Sequence, residues 1–264
     1  MSVLRKNKLR ELIRQDKPTI GTRILSSWPG IIEVIGHTGT IDYVEFLGEY
    51  APYSLYALDE MGRASELFNM STMIKIDAEP RTFIAQRAIG SGIQNVLFAD
   101  IRDVNDAEES VRAVRAEPKG WNGCSMRRVS GYLMKEGTPQ FVKYCEDVVV
   151  ALMIEKQSAM DNLEEILSVD GVDMVQFGPC DYLMSINAPG QISHSRVKEA
   201  EKKIIKTALK FDIRPRVEIE SVKEARQYLD LGVIDFNINI DIVILYNWLK
   251  EQGSQLHKLL EKIN

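Results

Sequence analysis

Two acidic residues that follow predicted strands are the strongest candidates for chemistry in this chain. Glu155 ends the apolar stretch ALMIE, and Asp181 lies in FGPCDY, which directly follows another apolar run. Adjacent strands of a sheet lie about 4.8 Å apart, so both carboxylates could reach one point above the strand ends. Two anions this close raise each other's pKa unless a cation lies between them. Because Mg²⁺ commonly binds one or two protein carboxylates and keeps positions for water and substrate, the pair predicts a divalent-metal site.

Structural roles are the alternative interpretation of these residues. Glu155 could cap the helix that follows it, and Asp181 could begin a turn. Cys180 lies beside Asp181, but the sequence places no histidine next to it that would activate a thiolate. The cysteines lack CxxC spacing, which predicts structural thiols in a reducing cytoplasm for all of them: Cys124, Cys145 and Cys180.

The elements that must position the acidic pair are short β-branched segments that alternate with helical sequence. The predicted strands are 19–26, 41–47, 72–76, 95–99, 148–154, 172–177, 213–219 and 233–240. Apolar residues at helical spacing occupy intervals such as 106–115, 158–167, 195–209 and 221–231. Asp106 and Ser221 each precede a glutamate by three residues, as helix N-caps do. Strand–helix alternation favours parallel pairing through right-handed crossovers. Eight such units predict an α/β fold, a single (β/α)8 TIM barrel domain over residues 1–264, with a doubly wound open sheet as the competing fold.

Composition and charge argue against two classes of partner. The net charge is −5, and basic residues are interspersed with acidic ones, so no nucleic-acid partner is expected. No apolar run approaches the ~20 residues that a membrane span needs, so no membrane partner is expected either. The N-terminal stretch MSVLRKNKLRELIRQ lacks the apolar core of a signal peptide, which favours a cytoplasmic location.

Two segments depart from the regular alternation. Residues 117–138 hold several glycines and are predicted to form a long loop, and such loops in compact domains are often functional. Residues 242–263 form a long amphipathic segment, which is predicted to cap the barrel or to pack on a neighbouring subunit.

The stretch MIEKQSAMDNLEEILSVDGVDMVQFGPCDYLMSINAPG resembles the HpcH/HpaI aldolases, also called class II pyruvate aldolases. In that family a QIET-type strand end, a GVD segment followed by GP-x-DL, and a PG recur in this order. DYVEFLGEYAPYSL is similar to the family's DGEHAPN segment, and TMIKIDAEP to its P-x-VRVP strand. The resemblance covers most of the chain. It implies a (β/α)8 barrel, usually in a hexamer whose C-terminal helix swaps onto a neighbour.

The resemblance also implies roles for individual residues. Glu155 and Asp181 correspond to the ligands of Mg²⁺, Mn²⁺ or Co²⁺, which chelates the keto and carboxylate oxygens of pyruvate. The backbone of the segment that includes Gly178, Pro179 and Cys180 helps to hold the substrate carboxylate. The implied reaction is the reversible cleavage of a 4-hydroxy-2-oxo acid to pyruvate and an aldehyde, through an enolate held at the metal.

The chain departs from the family where the base and an arginine should be. Tyr50 stands in place of the family's histidine, Leu47 in place of its aspartate, and Lys75 in place of its arginine. The three histidines fall on predicted helices or loops: His37, His194 and His257. Lys75 keeps the positive charge but loses the bidentate geometry of arginine. We therefore expect Lys75 to stabilise enolate charge, and Tyr50 or Glu49 to assist proton transfer.

Charged residues also face the predicted barrel interior. Arg23 lies on the first strand and Glu45 on the second, while Arg216 and Glu218 share one face of the seventh. One interpretation is a buried ion-pair network, for example between Arg23 and Glu45. The other is a remodelled pocket in which Arg23 or Arg216 binds an anionic group of the substrate.

Three functions are compatible with these sequence features. The first is the metal-dependent aldolase. The second is other 2-oxo acid enolate chemistry, such as decarboxylation of oxaloacetate or condensation with another acceptor. Decarboxylation needs no abstraction of a C–H proton and so fits the lost histidine. The third is a non-catalytic barrel that binds a 2-oxo acid or serves as an assembly partner.

Overall fold

The computed structural model describes residues 4–124, 126–132 and 137–263, in which eight parallel strands close into a barrel. Neighbouring strands pair in chain order, and β8 closes on β1. The strands are β1 Thr19–Ile24, β2 Tyr43–Leu47, β3 Ser71–Ile76, β4 Asn95–Ile101, β5 Val149–Ile154, β6 Met174–Phe177, β7 Arg214–Ile219 and β8 Asp235–Ile240. All eight predicted strands are confirmed, and the closed ring excludes the open doubly wound sheet.

Helices surround the barrel and connect its strands. They are α1 Lys8–Arg14, α2 Gly30–His37, α3 Leu55–Leu67, α4 Arg81–Ser91, α5 Val104–Val114, α6 Pro139–Glu146, α7 Gln157–Asp161, α8 Leu163–Leu167, α9 Pro179–Ser185, α10 Ser195–Lys210, α11 Val222–Leu229 and α12 Asp241–Leu260. The predicted loop 117–138 joins α5 to α6 and contains a 3₁₀ helix, Arg128–Ser130. Its residues 125 and 133–136 lie outside the described part of the chain.

The barrel has one core inside and another on its outer wall, because successive side chains of a strand point to opposite faces. Val44 and Phe46 belong to the larger cluster, which packs beneath the helices. Tyr43 and Met73 belong to the inner cluster, together with Leu9 from α1. Leu9 is fully buried, so α1 closes the N-terminal end of the barrel.

Two predicted helices differ from those observed. Helix α5 has its N-cap at Asp103, whose Oδ1 accepts the Asp106 N–H at 3.2 Å, so the predicted cap at Asp106 is wrong. The predicted helix 158–167 is divided into α7 and α8 at Asn162, whose side chain donates to the Ser158 carbonyl at 3.0 Å. An Asn side chain that bonds to nearby backbone competes with helix continuation. The predicted cap at Ser221 is confirmed, since its N–H donates to Glu224 Oε1 at 3.1 Å.

Helix α12 presents its apolar side chains to solvent. None of its 20 residues is buried. Its start is fixed by Asp241, whose carboxylate accepts the N–H groups of Leu25 and Ser26 at 2.9 and 3.0 Å. Nine large apolar side chains of α12 are 46–60% exposed: Ile242, Ile244, Leu245, Tyr246, Trp248, Leu249, Leu256, Leu259 and Leu260. Neither α12 nor any other helix in the described ranges has the length and apolarity needed to cross a membrane.

Candidate active site

A cavity of about 210 Å³ lies at the C-terminal end of the barrel strands. Most of the residues singled out in the sequence line it, and Glu49 pairs with one of its lining side chains. The lining residues are Arg23, Leu47, Tyr50, Lys75, Met153, Glu155, Gln176, Phe177, Gly178, Pro179, Cys180, Asp181 and Glu218. The volume is below the ~300–1,000 Å³ of pockets for drug-sized ligands, so the cavity suits a small acid.

The two acidic residues are placed by the ends of β5 and β6. Glu155 directly follows β5 and is 2% exposed, while Asp181 lies in the first turn of α9. The Gly178 N–H donates to the Ile154 carbonyl at 3.0 Å, which holds the two strand ends together. A Cβ atom at Gly178 would lie 2.5 Å from Glu155 Oε2, so this close approach requires glycine. The structure therefore brings both predicted metal ligands to one cavity.

Glu155 is a buried acid with incomplete charge compensation. Its Oε1 accepts the Asp100 N–H at 2.8 Å. Burial raises the pKa of Glu155 to about 7; the Lys75 charge and the Asp100 N–H oppose this rise, and the nearby Asp181 adds to it. A carboxylate that burial and like charge destabilise to this degree is one that a bound cation would stabilise.

Lys75, Glu49 and Tyr50 form a contact group on one side of the cavity. The turn after β2 is fixed on the end of β3, since the Glu49 N–H donates to the Lys75 carbonyl at 3.1 Å. Lys75 Nζ lies 2.5 Å from Glu49 Oε2 and donates to the Tyr50 hydroxyl at 2.5 Å. Burial by itself lowers the pKa of Lys75, but the charges of Glu155 and Glu49 raise it above its ordinary value. Lys75 is therefore a protonated cation at neutral pH.

The tyrosine that replaces the family's histidine is a weak base. Burial raises the pKa of Tyr50 to about 12, against the lowering effect of Lys75. No histidine lines the cavity: His37 ends α2, His194 precedes α10 and His257 lies in α12. Tyr50 can thus donate a hydrogen bond or a proton, whereas Glu49 is the member of this group whose side chain could accept one.

Sequence reasoning misses Lys156, which bridges two acidic residues at the cavity rim. Its Nζ lies 2.6 Å from Asp100 Oδ1 and 3.5 Å from Asp181 Oδ1. The signal was present in the sequence, because Lys156 directly follows Glu155 at a strand end. Gln176, two residues before Gly178 on the same strand face, was missed as well. The ammonium group of Lys156 therefore lies close to Asp181, one of the two predicted metal ligands.

The backbone of the GPCD segment offers fewer donors than the resemblance implies. The Gly178 N–H is already donated to Ile154, and Pro179 has no N–H. The N–H groups of Cys180 and Asp181 lie in the first turn of α9, where a helix leaves its amides without intrahelical acceptors. These two N–H groups, rather than that of Gly178, could hold a substrate carboxylate. The Cys180 side chain is exposed.

The charged groups of the barrel interior pair differently from the predicted example. Arg23 and Glu45 are register partners on adjacent strands, yet they do not pair. Arg23 pairs with Glu218 at 2.5 Å, and Arg216 reaches across the barrel to pair with Glu45. Burial lowers the pKa of Arg216, but the Glu45 charge raises it above its ordinary value. The predicted buried ion-pair network is therefore present, but Glu45 pairs with Arg216 and not with Arg23. The fully buried Glu45 also accepts a hydrogen bond from Asn237 Nδ2 at 3.0 Å.

The donor set fits a hard divalent cation. Within residues 4–124, 126–132 and 137–263, no three His, Cys, Asp or Glu side chains are grouped to hold a metal ion. Mg²⁺ usually needs one or two protein carboxylates, with water and substrate oxygens at its other positions. Glu155 and Asp181 supply that number of ligands, and the raised pKa of Glu155 is the property that a cation would reverse.

Comparison with known proteins identifies the family. The model of the HpcH/HpaI aldolase/citrate lyase family matches residues 24–235. The 4-hydroxy-2-oxo-heptane-1,7-dioate aldolase of Escherichia coli is 26% identical over 242 residues, which are 90% of each chain. The hydroxypyruvate/pyruvate aldolase of Delftia acidovorans is 25% identical over 245 residues, 90% of this chain and 88% of that one. The crystal structure of an HpcH/HpaI aldolase from Desulfitobacterium hafniense superposes with a TM-score of 0.85 at 20% identity, covering 94% of this chain and 96% of that one. The barrel, its cavity at the strand ends and the matched family model together show that this chain belongs to the HpcH/HpaI aldolase/citrate lyase family.

Proposed function

We propose that the protein is a divalent-metal-dependent aldolase that cleaves a 4-hydroxy-2-oxo acid to pyruvate and an aldehyde. Family membership supports aldolase or lyase chemistry, and the named relatives are aldolases of this kind. The observation that carries the proposal is the buried Glu155 beside Asp181, with the Lys75 cation in the same small cavity. This arrangement supports the proposal, because it would offer two carboxylates to a metal ion and a fixed positive charge to a bound 2-oxo acid.

Cleavage of a 4-hydroxy-2-oxo acid requires stabilisation of a developing negative charge and the transfer of two protons. Cleavage breaks the bond between C3 and C4 of the substrate, and its electron pair passes to C3 as an enolate. The C4 hydroxyl loses its proton and becomes the aldehyde, while C3 later gains a proton to give pyruvate. A bound divalent ion would supply Lewis-acid stabilisation of the charge that develops on the keto oxygen. Lys75 is fixed beside the same region by Glu49 and Tyr50, so it adds a preorganised cation.

Exchange of the pyruvate methyl protons with deuterium tests this proposal directly. The purified protein should exchange them when Mn²⁺ is present and lose the exchange after treatment with a chelator. Mn²⁺ should also raise the unfolding temperature, because a ligand that binds the native state stabilises it. Metal-dependent stabilisation without exchange or any turnover would indicate a binding protein instead of an aldolase.

Oxaloacetate decarboxylation is a second candidate function, favoured by the properties of Tyr50. With a pKa near 12, Tyr50 cannot serve as the base that the family's histidine provides. Decarboxylation produces the same pyruvate enolate by loss of CO₂ and needs no base at carbon. Release of pyruvate from oxaloacetate at a rate far above methyl exchange would favour this function.

Replacing Lys75 by methionine is expected to lower kcat by about 10²- to 10³-fold, the usual effect of removing one preorganised group that stabilises developing charge. Lys75→Arg should recover part of the loss because it keeps the charge. The measurement is steady-state cleavage of a 4-hydroxy-2-oxo acid, with thermal unfolding to verify that each variant is folded. An unchanged kcat in Lys75→Met would remove Lys75 from the mechanism.

Tyr50→Phe is the variant that distinguishes the role of the Tyr50 hydroxyl from that of its ring. The Lys75 Nζ lies 4.6 Å from the centre of the Tyr50 ring, so phenylalanine preserves this contact. A loss of activity in Tyr50→Phe would show that the hydroxyl takes part. Equal activity of this variant and the wild type would leave Glu49 as the candidate for proton transfer.

Lys156→Met is expected to tighten Mn²⁺ binding by about tenfold or more. The ammonium lies 3.5 Å from Asp181 Oδ1, so it competes electrostatically with a cation at that carboxylate. Unit charges about 4 Å apart interact by roughly 4 kcal/mol near a protein surface, and solvent screening reduces this to a fraction. Calorimetric titration with Mn²⁺ measures the change, with Lys206→Met on the exposed face of α10 as the matched control. Unchanged or weaker binding in Lys156→Met would show that the lysine does not compete.

We also propose that the protein is a homo-oligomer in which α12 packs on another copy, as in the hexamers of the family. The exposed apolar side chains of α12 exceed what isolated surface residues explain. The double variant Leu245→Glu with Trp248→Glu should therefore form smaller assemblies, measured by size-exclusion chromatography with light scattering. Gln252→Glu, which adds a negative charge to α12 at an exposed polar position, serves as the control. An assembly size that is the same for all three proteins would exclude α12 from the interface.

A further inference from the structure

A second cavity, of about 300 Å³, lies between β6, β7 and helix α10. We call it the α10 chamber. Its walls are mostly apolar: Phe177, Ile192, Val197, Ile204, Ile205 and Val217. Ile192 and Lys198 are exposed and mark its outer end, while Gln176, Arg216 and Glu218 come from the inward face of the barrel. The chamber therefore extends from the surface beneath α10 toward the barrel interior.

The α10 chamber adjoins the cavity lined by Glu155 and Asp181, which we call the catalytic cavity. Four residues line both: Gln176, Phe177, Pro179 and Glu218. Strands β6 and β7 pair over three residues, from Met174 with Arg214 to Gln176 with Arg216. Beyond that point β7 continues to Ile219 while β6 ends at Phe177. Backbone pairing between the two strands therefore ends at Gln176, whose side chain donates to Glu218 Oε1 of β7 at 2.6 Å.

One polar group of the chamber, the Arg216 guanidinium, has capacity left for a ligand. Arg216 is 1% exposed, and its Nε–H has no acceptor among the described protein atoms. A buried donor without an acceptor is unfavourable, and a ligand oxygen or a water molecule would satisfy it. The Tyr228 hydroxyl donates to Glu201 Oε1 at 3.0 Å, so these two residues satisfy each other at the chamber wall. The chamber as a whole suits an apolar chain, with water able to satisfy the Arg216 donor.

We propose that the α10 chamber binds the carbon chain of the aldehyde that the enzyme releases or condenses with pyruvate. This inference rests on the proposed aldolase function. In the condensation direction, C3 of the pyruvate enolate forms a bond with the aldehyde carbon, the carbonyl π bond breaks, and its oxygen takes up a proton. The aldehyde carbon must lie in the catalytic cavity, and the rest of the molecule extends past Gln176 and Glu218 between the apolar walls. The favoured class is aldehydes with an aliphatic body of several carbons.

Condensation of pyruvate with linear aldehydes of increasing length tests the inference. Each buried methylene contributes about a fourfold gain in affinity. We therefore expect kcat/KM for hexanal to exceed that for acetaldehyde by at least about tenfold, which corresponds to partial burial of the added methylenes. Val197→Phe fills part of the chamber and should lower the ratio of hexanal to acetaldehyde kcat/KM by about tenfold. Val222→Phe makes the same change at an exposed position of α11 and should leave the ratio unchanged.

Methyl exchange in pyruvate alone separates this inference from the function on which it rests. If the wild type exchanges these protons but turns over hexanal no better than acetaldehyde, the chamber does not bind the aldehyde chain and enolate chemistry stands. The same conclusion follows if Val197→Phe is folded and keeps the wild-type ratio. If the wild type shows no exchange with Mn²⁺ and no condensation, the proposed function and the chamber's role are both overturned. The wild-type series decides the question even where Val197→Phe does not fold.

Discussion

Alanine at Glu155 or at Asp181 is expected to lower metal-dependent turnover by at least about 10³-fold. A bound metal stabilises developing charge by several kcal/mol, and about 4 kcal/mol corresponds to a factor of 10³ in rate. Each variant removes one of the two carboxylates proposed to bind the metal, both of which line the catalytic cavity. The measurement is cleavage of a 4-hydroxy-2-oxo acid at saturating Mn²⁺, together with methyl exchange in pyruvate.

The stability of the metal-free variants distinguishes lost metal binding from lost folding. Burial raises the pKa of Glu155, so its carboxylate costs free energy in the native state, and Glu155→Ala should unfold no more easily than the wild type at neutral pH. The rise in unfolding temperature caused by Mn²⁺ should disappear in both variants. Asp77→Ala removes an exposed carboxylate just after β3 and should keep both activity and the Mn²⁺ effect. Full activity in Glu155→Ala would end the metal proposal.

Replacing Arg216 by methionine is expected to lower the free energy of unfolding by about 3–5 kcal/mol, the usual cost of leaving a buried charge without its partner. The side chains of Arg216 and Glu45 are both fully buried, and the pair crosses the barrel from β7 to β2. Methionine would leave the Glu45 carboxylate with Asn237 as its remaining donor. Urea unfolding at pH 7 measures the difference.

A double variant tests whether the loss comes from the unpaired charge. Arg216→Met combined with Glu45→Met replaces both charges by apolar groups, which is often close to neutral for buried ion pairs. It should therefore be more stable than Arg216→Met alone. Arg112→Met breaks the exposed pair with Glu108 and should change stability by less than about 1 kcal/mol. If the single and double variants are equally unstable, packing of the arginine chain, not the unpaired carboxylate, accounts for the effect.

Local patterns in the sequence were sufficient to predict the barrel. β-branched runs and helical periodicity depend on neighbours within a few residues, so eight strands were located to within a few positions. Helix boundaries depend on more than local pattern. Asp103 and Asp106 carry equivalent carboxylates three residues apart, and the structure uses Asp103 as the cap of α5. Asp106 instead accepts the Arg102 N–H at 2.8 Å and lies 3.1 Å from Arg81 of α4. That contact joins two different helices and leaves no local signal.

The sequence does not predict which charged side chains pair across the barrel interior. The sequence places Arg23, Glu45, Arg216 and Glu218 on inward faces, because alternation along a strand is local. It does not specify which arginine meets which glutamate, because Arg216 and Glu45 are far apart in the chain and meet only when the ring closes. Burial accounts for the observed pairs. Glu45 and Arg216 are both fully buried and pair with each other, whereas the partly exposed Arg23 and Glu218 form the second pair.

The sequence by itself therefore determined the eight strand–helix units and the acidic pair at the ends of neighbouring strands. The tertiary structure decided how that pair is surrounded. It placed Lys75 in contact with Glu49 and Tyr50, and it placed Lys156 between two carboxylates. It also formed the α10 chamber, which lies where β6 ends at Phe177 and β7 continues to Ile219. Strand identity is set by residues close in the chain, whereas charge environment and cavity shape depend on side chains that meet after the barrel closes.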